Sequence, residues 1–590
     1  MAASPITQAR ELLDSGRASE AEPLLRKHLR KKPRDMAAIE ILALVMAATD
    51  RLGEMAEQLV AAAQTPLATS QCMQLACDAA AARGDHAAAL ALATTATKRF
   101  PDDAGCWHLH GRELLATADA LAAVHSLETA HALSPDNNEI LGLLADADLS
   151  KGTFPIPDRW ARMLLDRNGS DARNHVRLGN AQRLNDDLDG AHASFTSALK
   201  LDASLPAAVA GMAETLESMG DTDAAAQILE PAIQHGEPGY ALVTAWTRIT
   251  QRQDNLDAGI HAMERYLAAR RGSPWHTANM LMQLGRAYEK SDRCEDAFRC
   301  WMAGNKPHQG RWSRRTHTDL IEHLEAAFTT DTMSALPRSR VTDTTPIFIV
   351  GMYRSGTTLT EHILSAHPHV EAVGESPALP EALQMLAERL GGTNTWPECI
   401  AHATADDLTA AGEAYLDGVR NASPNGLRLV DKLPMNYLSV GAIPLLLPHA
   451  KVLHLIRDDI DTGLSCFSQA FASRMAFTAD LEDLGHAIAM ERRIMAHWQQ
   501  TLGVDVHDVQ YEQLVADPEA VIRDMLAFLD LPWDNAVMRF HERKRVVATP
   551  SMDQVREPIN TKAVGRAANF GALLDPLREG IVSAGANKGV

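Results

Sequence analysis

No run of about 18 apolar residues occurs anywhere in this chain, so no membrane-spanning helix is expected. The opening residues, MAASPITQARELL, lack a basic stretch leading into an apolar core, so no secretory leader is expected either. Cysteine is scarce and scattered. Cys72, Cys77, Cys106, Cys294, Cys300, Cys399 and Cys466 form no C-x-x-C pair and no Cys/His zinc spacing. That excludes a disulfide-stapled scaffold and fits free thiols in a reducing compartment, so a cytoplasmic protein is expected. Basic residues are outnumbered, 56 Lys and Arg against 76 Asp and Glu, for a net charge of −20. A general nucleic-acid binder, which needs a broad basic face, is thereby excluded, whereas a few arginines in a cleft suffice for a small anion. At 590 residues the chain is too long for one core, and two or more domains are expected.

What is present in the first three hundred residues is alanine and leucine at helical spacing, with almost no strand signal. Pro101 and Pro135 each end a helix-like run and precede Asp, and their separation is 135 − 101 = 34. Steps of the same length reach Pro33, Leu67, Gly169, Ala203 and Glu237, each at a helix break. Small and bulky residues recur inside the frames: Trp107 and Gly111 with Ala123 and Leu127, Gly179 with Ala191 and Phe195, Gly285 and Tyr288 with Ala297 and Trp301. This pattern resembles the tetratricopeptide repeat, a stack of helical hairpins in which no unit buries its apolar face alone. Roughly eight units fit in residues 1–305, an α-solenoid whose groove is a candidate surface for a protein partner. Trp107, Trp246, Tyr288 and Trp301 are expected to pack between helices. The prolines of KGTFPIPD, Lys151–Asp158, predict a shortened or displaced helix.

Residues 306–344 are expected to link this region to the rest. Pro, Gly and a basic cluster mark 306–315, Leu320–Leu336 reads as one amphipathic helix, and Pro337–Thr345 as a polar linker.

From Thr345 the pattern changes. Ile347–Val350 is a short β-branched run, Gly351 and Gly356 bracket a G-x-x-x-x-G loop, and Thr357 opens an apolar-periodic helix. Strand, glycine loop and helix gather backbone amides and a helix N-terminus around one point, which makes an anion site. A nucleoside-triphosphate loop would continue with Lys after the second glycine. Here Thr357 and Thr358 follow, and the cation, Arg354, lies inside the loop. Downstream, Asp431-Lys432 follows a strand-like run at 427–430, and Arg457 follows another at Val452–Ile456, with Ser465 eight residues on. Tyr511 ends a further strand-like run. Units starting near 347, 428, 452 and 509 predict a parallel sheet between helical layers, a three-layer α/β P-loop architecture.

R-S-G-T-T after an apolar strand, continued by Leu364-x-x-His367-Pro368-x-Val370 and Gly374-Glu375, resembles the sulfotransferases that use 3′-phosphoadenosine 5′-phosphosulfate (PAPS). Within them it is most similar to the tyrosylprotein branch and its repeat-bearing bacterial relatives. The resemblance covers roughly residues 345 to 580, within a domain expected at 345–590, and implies a PAPS-dependent transferase acting on a hydroxyl acceptor. It implies that Arg354, Ser355, Gly356, Thr357 and Thr358 hold the phosphosulfate, that Lys432 supports the transferring sulfuryl group, and that Arg457 and Ser465 hold the 3′-phosphate. Tyr511 would contact the nucleotide, and Ser551, Lys562, Gly565 and Arg566 would cover it. Glu375 is the implied base, with His362, His367 and His369 as alternatives. The sequence departs from the family at Tyr353, usually Pro, and at Ala567, usually aromatic. The leaving group is already a good anion, so no metal is expected to be required. A P-loop kinase and a repeat scaffold with a non-catalytic C-terminal fold are the rival readings. A peptide tyrosine is the favoured acceptor over a saccharide, lipid or small phenol.

Overall fold

The computed structural model describes residues 4–586 other than 118, 152–154, 236, 270–272, 393–395, 421–426, 472, 502–505 and 543–557. Two compact units result, Met1–Ala262 and Met263–Val590. Among the described residues no helix is long and apolar enough to cross a membrane.

The first unit is helical, and its helices pack as hairpins, such as Ala104–Ala116 on Ala120–Leu133 and Ala172–Leu184 on Leu188–Leu201. Aspartate repeatedly starts a helix: Asp85, Asp119, Asp187 and Asp221 each accept the N–H three residues on. The small-against-bulky pattern is what closes the hairpins. A Cβ on Gly179 would sit 2.9 Å from the buried Phe195 ring, so only glycine admits that approach. The helix after the proline segment, Arg159–Arg167, has 9 residues where its neighbours have 13, the shortening that KGTFPIPD predicts.

The second unit begins with helical structure too. Pro274–Lys290 packs on Cys294–Asn305, with the fully buried Trp301 against Gly285. The expected single helix over Leu320–Leu336 is two, Arg314–Ala327 and Thr330–Ala335. Thr329 accounts for the break, because its hydroxyl accepts the Thr332 N–H at 3.1 Å and caps a new helix.

Five parallel strands follow: β1 (Pro346–Gly351), β2 (Val370–Gly374), β3 (Arg428–Lys432), β4 (Lys451–Ile456) and β5 (Val506–Gln510), in spatial order β2-β3-β1-β4-β5. β2 is a strand the sequence reading did not include. It pairs at the sheet edge and alternates buried with half-exposed residues, so it lacks the continuous apolar run of the central strands. Side chains of β1 alternate between two cores. Phe348 and Val350 pack with Leu379, Tyr415 and Trp498 on one face, while Ile347 and Ile349 pack with Ile363, Ile522 and Leu526 on the other. Helices thus cover both faces, giving the three-layer α/β arrangement. The first strand is central, with β3 on one side and β4 on the other, so the chain changes direction beside its C-terminal end. Open parallel sheets hold ligands at that crevice.

Candidate active site

Gly351 ends β1 with φ 140° and a Cβ there would lie 2.6 Å from the Leu455 carbonyl, so the tight exit from the strand requires glycine. Gly356, φ 106°, is pressed against the Tyr511 ring, where a Cβ would meet Cδ2 at 2.7 Å. Between them Arg354 itself adopts φ 68°, a conformation costing a non-glycine residue about 1–3 kcal/mol and concentrated at ligand clamps. Ser355 Oγ donates to the Met352 carbonyl at 2.7 Å and pins the loop from within. The helix Thr357–Ser365 follows, and Gly356 offers no side chain to cap its first amides. Those amides, with the helix dipole, suit an anion.

The second candidate anion site closes on the first. Arg354 Nε donates to Ser465 Oγ at 3.1 Å, and Arg457 Nη1 donates to the Arg354 carbonyl at 3.0 Å. Arg457 is 4% exposed, and its Nε, buried, has no hydrogen-bond partner among the described residues. An orphaned cationic donor of this kind is a cost unless an acceptor arrives. Tyr511 lies under the Arg457 guanidinium, 4.8 Å from it. Burial pushes the Arg354 guanidinium down to about 10, with the charges of Arg457, Arg566 and Arg286 adding to the effect. Such crowding of like charge is relieved by an anion.

The C-terminal segment lies over this cluster. Asp461 accepts the Gly565 and Ala567 N–H groups at 2.6 and 2.7 Å, and Arg457 Nη2 donates to the Ala563 carbonyl at 2.5 Å. Arg566 Nη2 donates to Ser468 Oγ at 3.0 Å. Lys562 is exposed, and Ser551 lies outside the described residues.

At the end of β3 the Lys432 ammonium is 1% exposed and sits between two carboxylates, Glu375 Oε1 at 2.6 Å and Glu361 Oε2 at 3.6 Å. Residue 373 is skipped in the β2–β3 register, a bulge that re-aims the chain into Glu375. Asp431 beside Lys432 is pushed up to about 8 by burial, against the Tyr415 hydroxyl that donates to it at 3.3 Å. The three candidate histidines differ in their surroundings. His367 Nε2 donates to the Pro532 carbonyl at 2.8 Å while its Nδ1 accepts the His369 N–H at 3.1 Å, which fixes the tautomer. That ring is buried, whereas His369 is exposed and His362 is half-buried on the loop helix.

Arg354, Ser355, Gly356, Thr357, Thr358, Arg457, Ser465, Tyr511, Gly565 and Arg566 therefore gather at the C-terminal edge of β1 and β4, with Lys432 and Glu375 at the edge of β3. Glu361, Asp461 and the Ser468 hydroxyl are additions. Glu361 shares its helix face with Thr357, Thr358 and Ser365 and so did not stand out, and nothing marked Asp461 within R-D-D-I-D.

A parallel α/β sheet carrying an arginine-bearing glycine loop defines a P-loop-like transferase fold. Residues 346–535 match the sulfotransferase family, and the chain carries a sulfotransferase-family domain behind a tetratricopeptide-like helical region. It is 34% identical to an uncharacterized protein of Aquifex aeolicus over 50% of this chain and 40% of that one. It is 30% identical to protein-tyrosine sulfotransferase A of Caenorhabditis elegans over 37% of this chain and 60% of that protein. The chain thus spans between two fifths and three fifths of these relatives. Among solved structures, the sulfotransferase domain of the Synechococcus PCC 7002 olefin synthase aligns with 42% of this chain and 98% of its own, at 22% identity and a TM-score of 0.31.

Proposed function

We propose that this protein transfers a sulfuryl group from PAPS to a hydroxyl acceptor, with a peptide tyrosine as the favoured acceptor. One observation carries the reading: the cation of the glycine loop is Arg354, clasped by the hydroxyl of the second anion site, where a nucleotide kinase would place a lysine after the loop. The residues present suit a donor with anions at both ends, since Arg457 Nε has no hydrogen-bond partner among the described residues and Gly356 gives the loop helix no side-chain cap. PAPS would supply the sulfuryl group and a phosphate that leaves readily.

The chain's own groups do the rest. Arg354 and the amides of 356–358 bind the phosphosulfate end, and Arg457, Ser465 and Arg566 bind the 3′-phosphate. Tyr511, packed under Arg457, shapes the nucleotide side. Lys432 holds positive charge where negative charge gathers on the transferring oxygens, and such stabilisation is the main source of acceleration in group transfers of this type. Glu375 receives the acceptor's proton. A phenol, pKa about 10, yields it to a carboxylate more easily than an aliphatic alcohol does. The Caenorhabditis elegans relative is named a protein-tyrosine sulfotransferase, and a cleft of about 270 Å³ lined by Asn138, Gly142, Asn174 and Arg177 offers the helical region a place to hold part of a peptide. All seven cysteines are free thiols, which supports a cytoplasmic setting.

Incubating host lysate with the full chain and ³⁴S-labelled PAPS, then locating the label by mass spectrometry, tests this. Label on tyrosine supports the whole proposal. Label on a saccharide or lipid retains the transferase and replaces the acceptor. No transfer to any hydroxyl, with ATP consumed instead, would favour a kinase.

A further inference from the structure

The helices Pro274–Lys290 and Cys294–Asn305 read as the end of a repeat array, yet they touch the donor site. Arg566 engages the Glu289 carboxylate with both Nε and Nη2, the latter at 2.8 Å from Oε2. Its guanidinium lies 5.8 Å over Trp301, whose ring packs 5.4 Å from Phe570. Asn305 Nδ2 donates to the Phe467 carbonyl at 2.9 Å, Phe298 packs 5.7 Å from the Phe467 ring, and Arg286 Nη1 donates to Gln469 Oε1 at 3.0 Å. Every one of these contacts falls on residues 467–469 or 566–570. The first stretch continues the helix that presents Ser465 to Arg354, and the second is the segment tied down by Asp461 and Arg457.

We propose that this hairpin is a working part of the donor site: Glu289 is a positioning residue that holds Arg566 at the anion cluster, and Arg286 adds a further cation to it. The inference rests on the PAPS reading. Its physical basis is repulsion, since Arg354, Arg457 and Arg286 would drive a fourth guanidinium outward unless a carboxylate held it. The bidentate contact with Glu289, both side chains largely buried, supplies that hold in a fixed orientation.

The charge of Glu289 makes the test decisive. Removing a negative charge near an anion site tightens anion binding if charge is all that matters, and loosens it if Glu289 positions Arg566. Full-length Glu289→Gln, titrated with adenosine 3′,5′-bisphosphate, is expected to bind about tenfold more weakly than the unaltered chain. Glu289→Asp should recover part of the loss, and discrimination against 5′-AMP should fall in Glu289→Gln. Arg286→Gln, away from Arg566, should also weaken binding, and it serves if Glu289→Gln does not fold. Equal or tighter binding by Glu289→Gln, or unchanged binding by a folded Arg286→Gln, overturns the inference alone. No binding by the unaltered chain would overturn the PAPS reading as well.

Discussion

Arg354 Nε and Ser465 Oγ meet at 3.1 Å across 111 residues of chain, which joins the glycine loop of β1 to the helix after β4. A substitution at either residue therefore disturbs both halves of the anion site. Arg354→Ala should lower sulfuryl transfer by about 10²–10³, the scale of losing one preorganised donor. Steady-state rates with labelled PAPS check it, and an unchanged rate would remove Arg354 from the reaction.

Lys432 is held by Glu375 and Glu361, and the two carboxylates should separate on substitution. Glu375→Gln is expected to cost about 10²–10⁴ in turnover, the range for a general base, with binding of adenosine 3′,5′-bisphosphate kept. Glu361→Gln should cost much less turnover, because its carboxylate stands farther from the ammonium and mainly offsets the buried charge. Equal losses in the two variants would mean that Glu375 orients Lys432 and does not move a proton.

The positions legible in the sequence were those where one short segment carries the chemistry. R-S-G-T-T, Asp431-Lys432, Arg457 and Tyr511 each sit at a strand end, with Ser465 in the helix that follows β4, and a strand end is readable from a few apolar residues. Glu361, Asp461 and Glu289 matter through contacts made far along the chain, such as the one from Glu289 to Arg566 across 277 residues, and no local pattern marks them. β2 went unread because an edge strand with His369, Glu371 and Gly374 in or beside it offers half an apolar pattern. The break at Thr329 was hidden because Phe328 continued the helical spacing that its neighbour's cap interrupts.

His454, buried on β4, lies 2.8 Å from both Asp508 and Glu491, and Arg492 stands 3.6 Å from Glu491. Burial alone would lower its proton affinity, but the hydrogen bonds and charges of Asp508 and Glu491 outweigh burial and raise it to about 9. A histidine whose folded pKa exceeds its unfolded value near 6.5 stabilises fully below that value, and the contribution is lost as pH rises toward 9. Thermal melting should show Tm falling between these pH values in the unaltered chain and a flatter profile in His454→Gln. Parallel profiles would contradict the assignment.

Where the chain is cut should decide whether donor binding survives. Residues 263–590 keep Glu289, Trp301 and Asn305 with the sheet and should bind adenosine 3′,5′-bisphosphate like the full chain, while losing efficient use of a peptide acceptor. Residues 306–590 expose the partners of that hairpin and should bind at least tenfold more weakly or fail to fold. Equal donor binding by both pieces would show that the hairpin is dispensable.

The central claim, an anion cradle built for PAPS, is tested most directly by calorimetric titration of the full chain with adenosine 3′,5′-bisphosphate and, separately, with ATP and Mg²⁺. The geometry of Arg354, Arg457 and Ser465 predicts tighter binding of the bisphosphate, lost in Arg354→Ala. Tighter binding of ATP, dependent on Mg²⁺ and indifferent to Arg354→Ala, would contradict it.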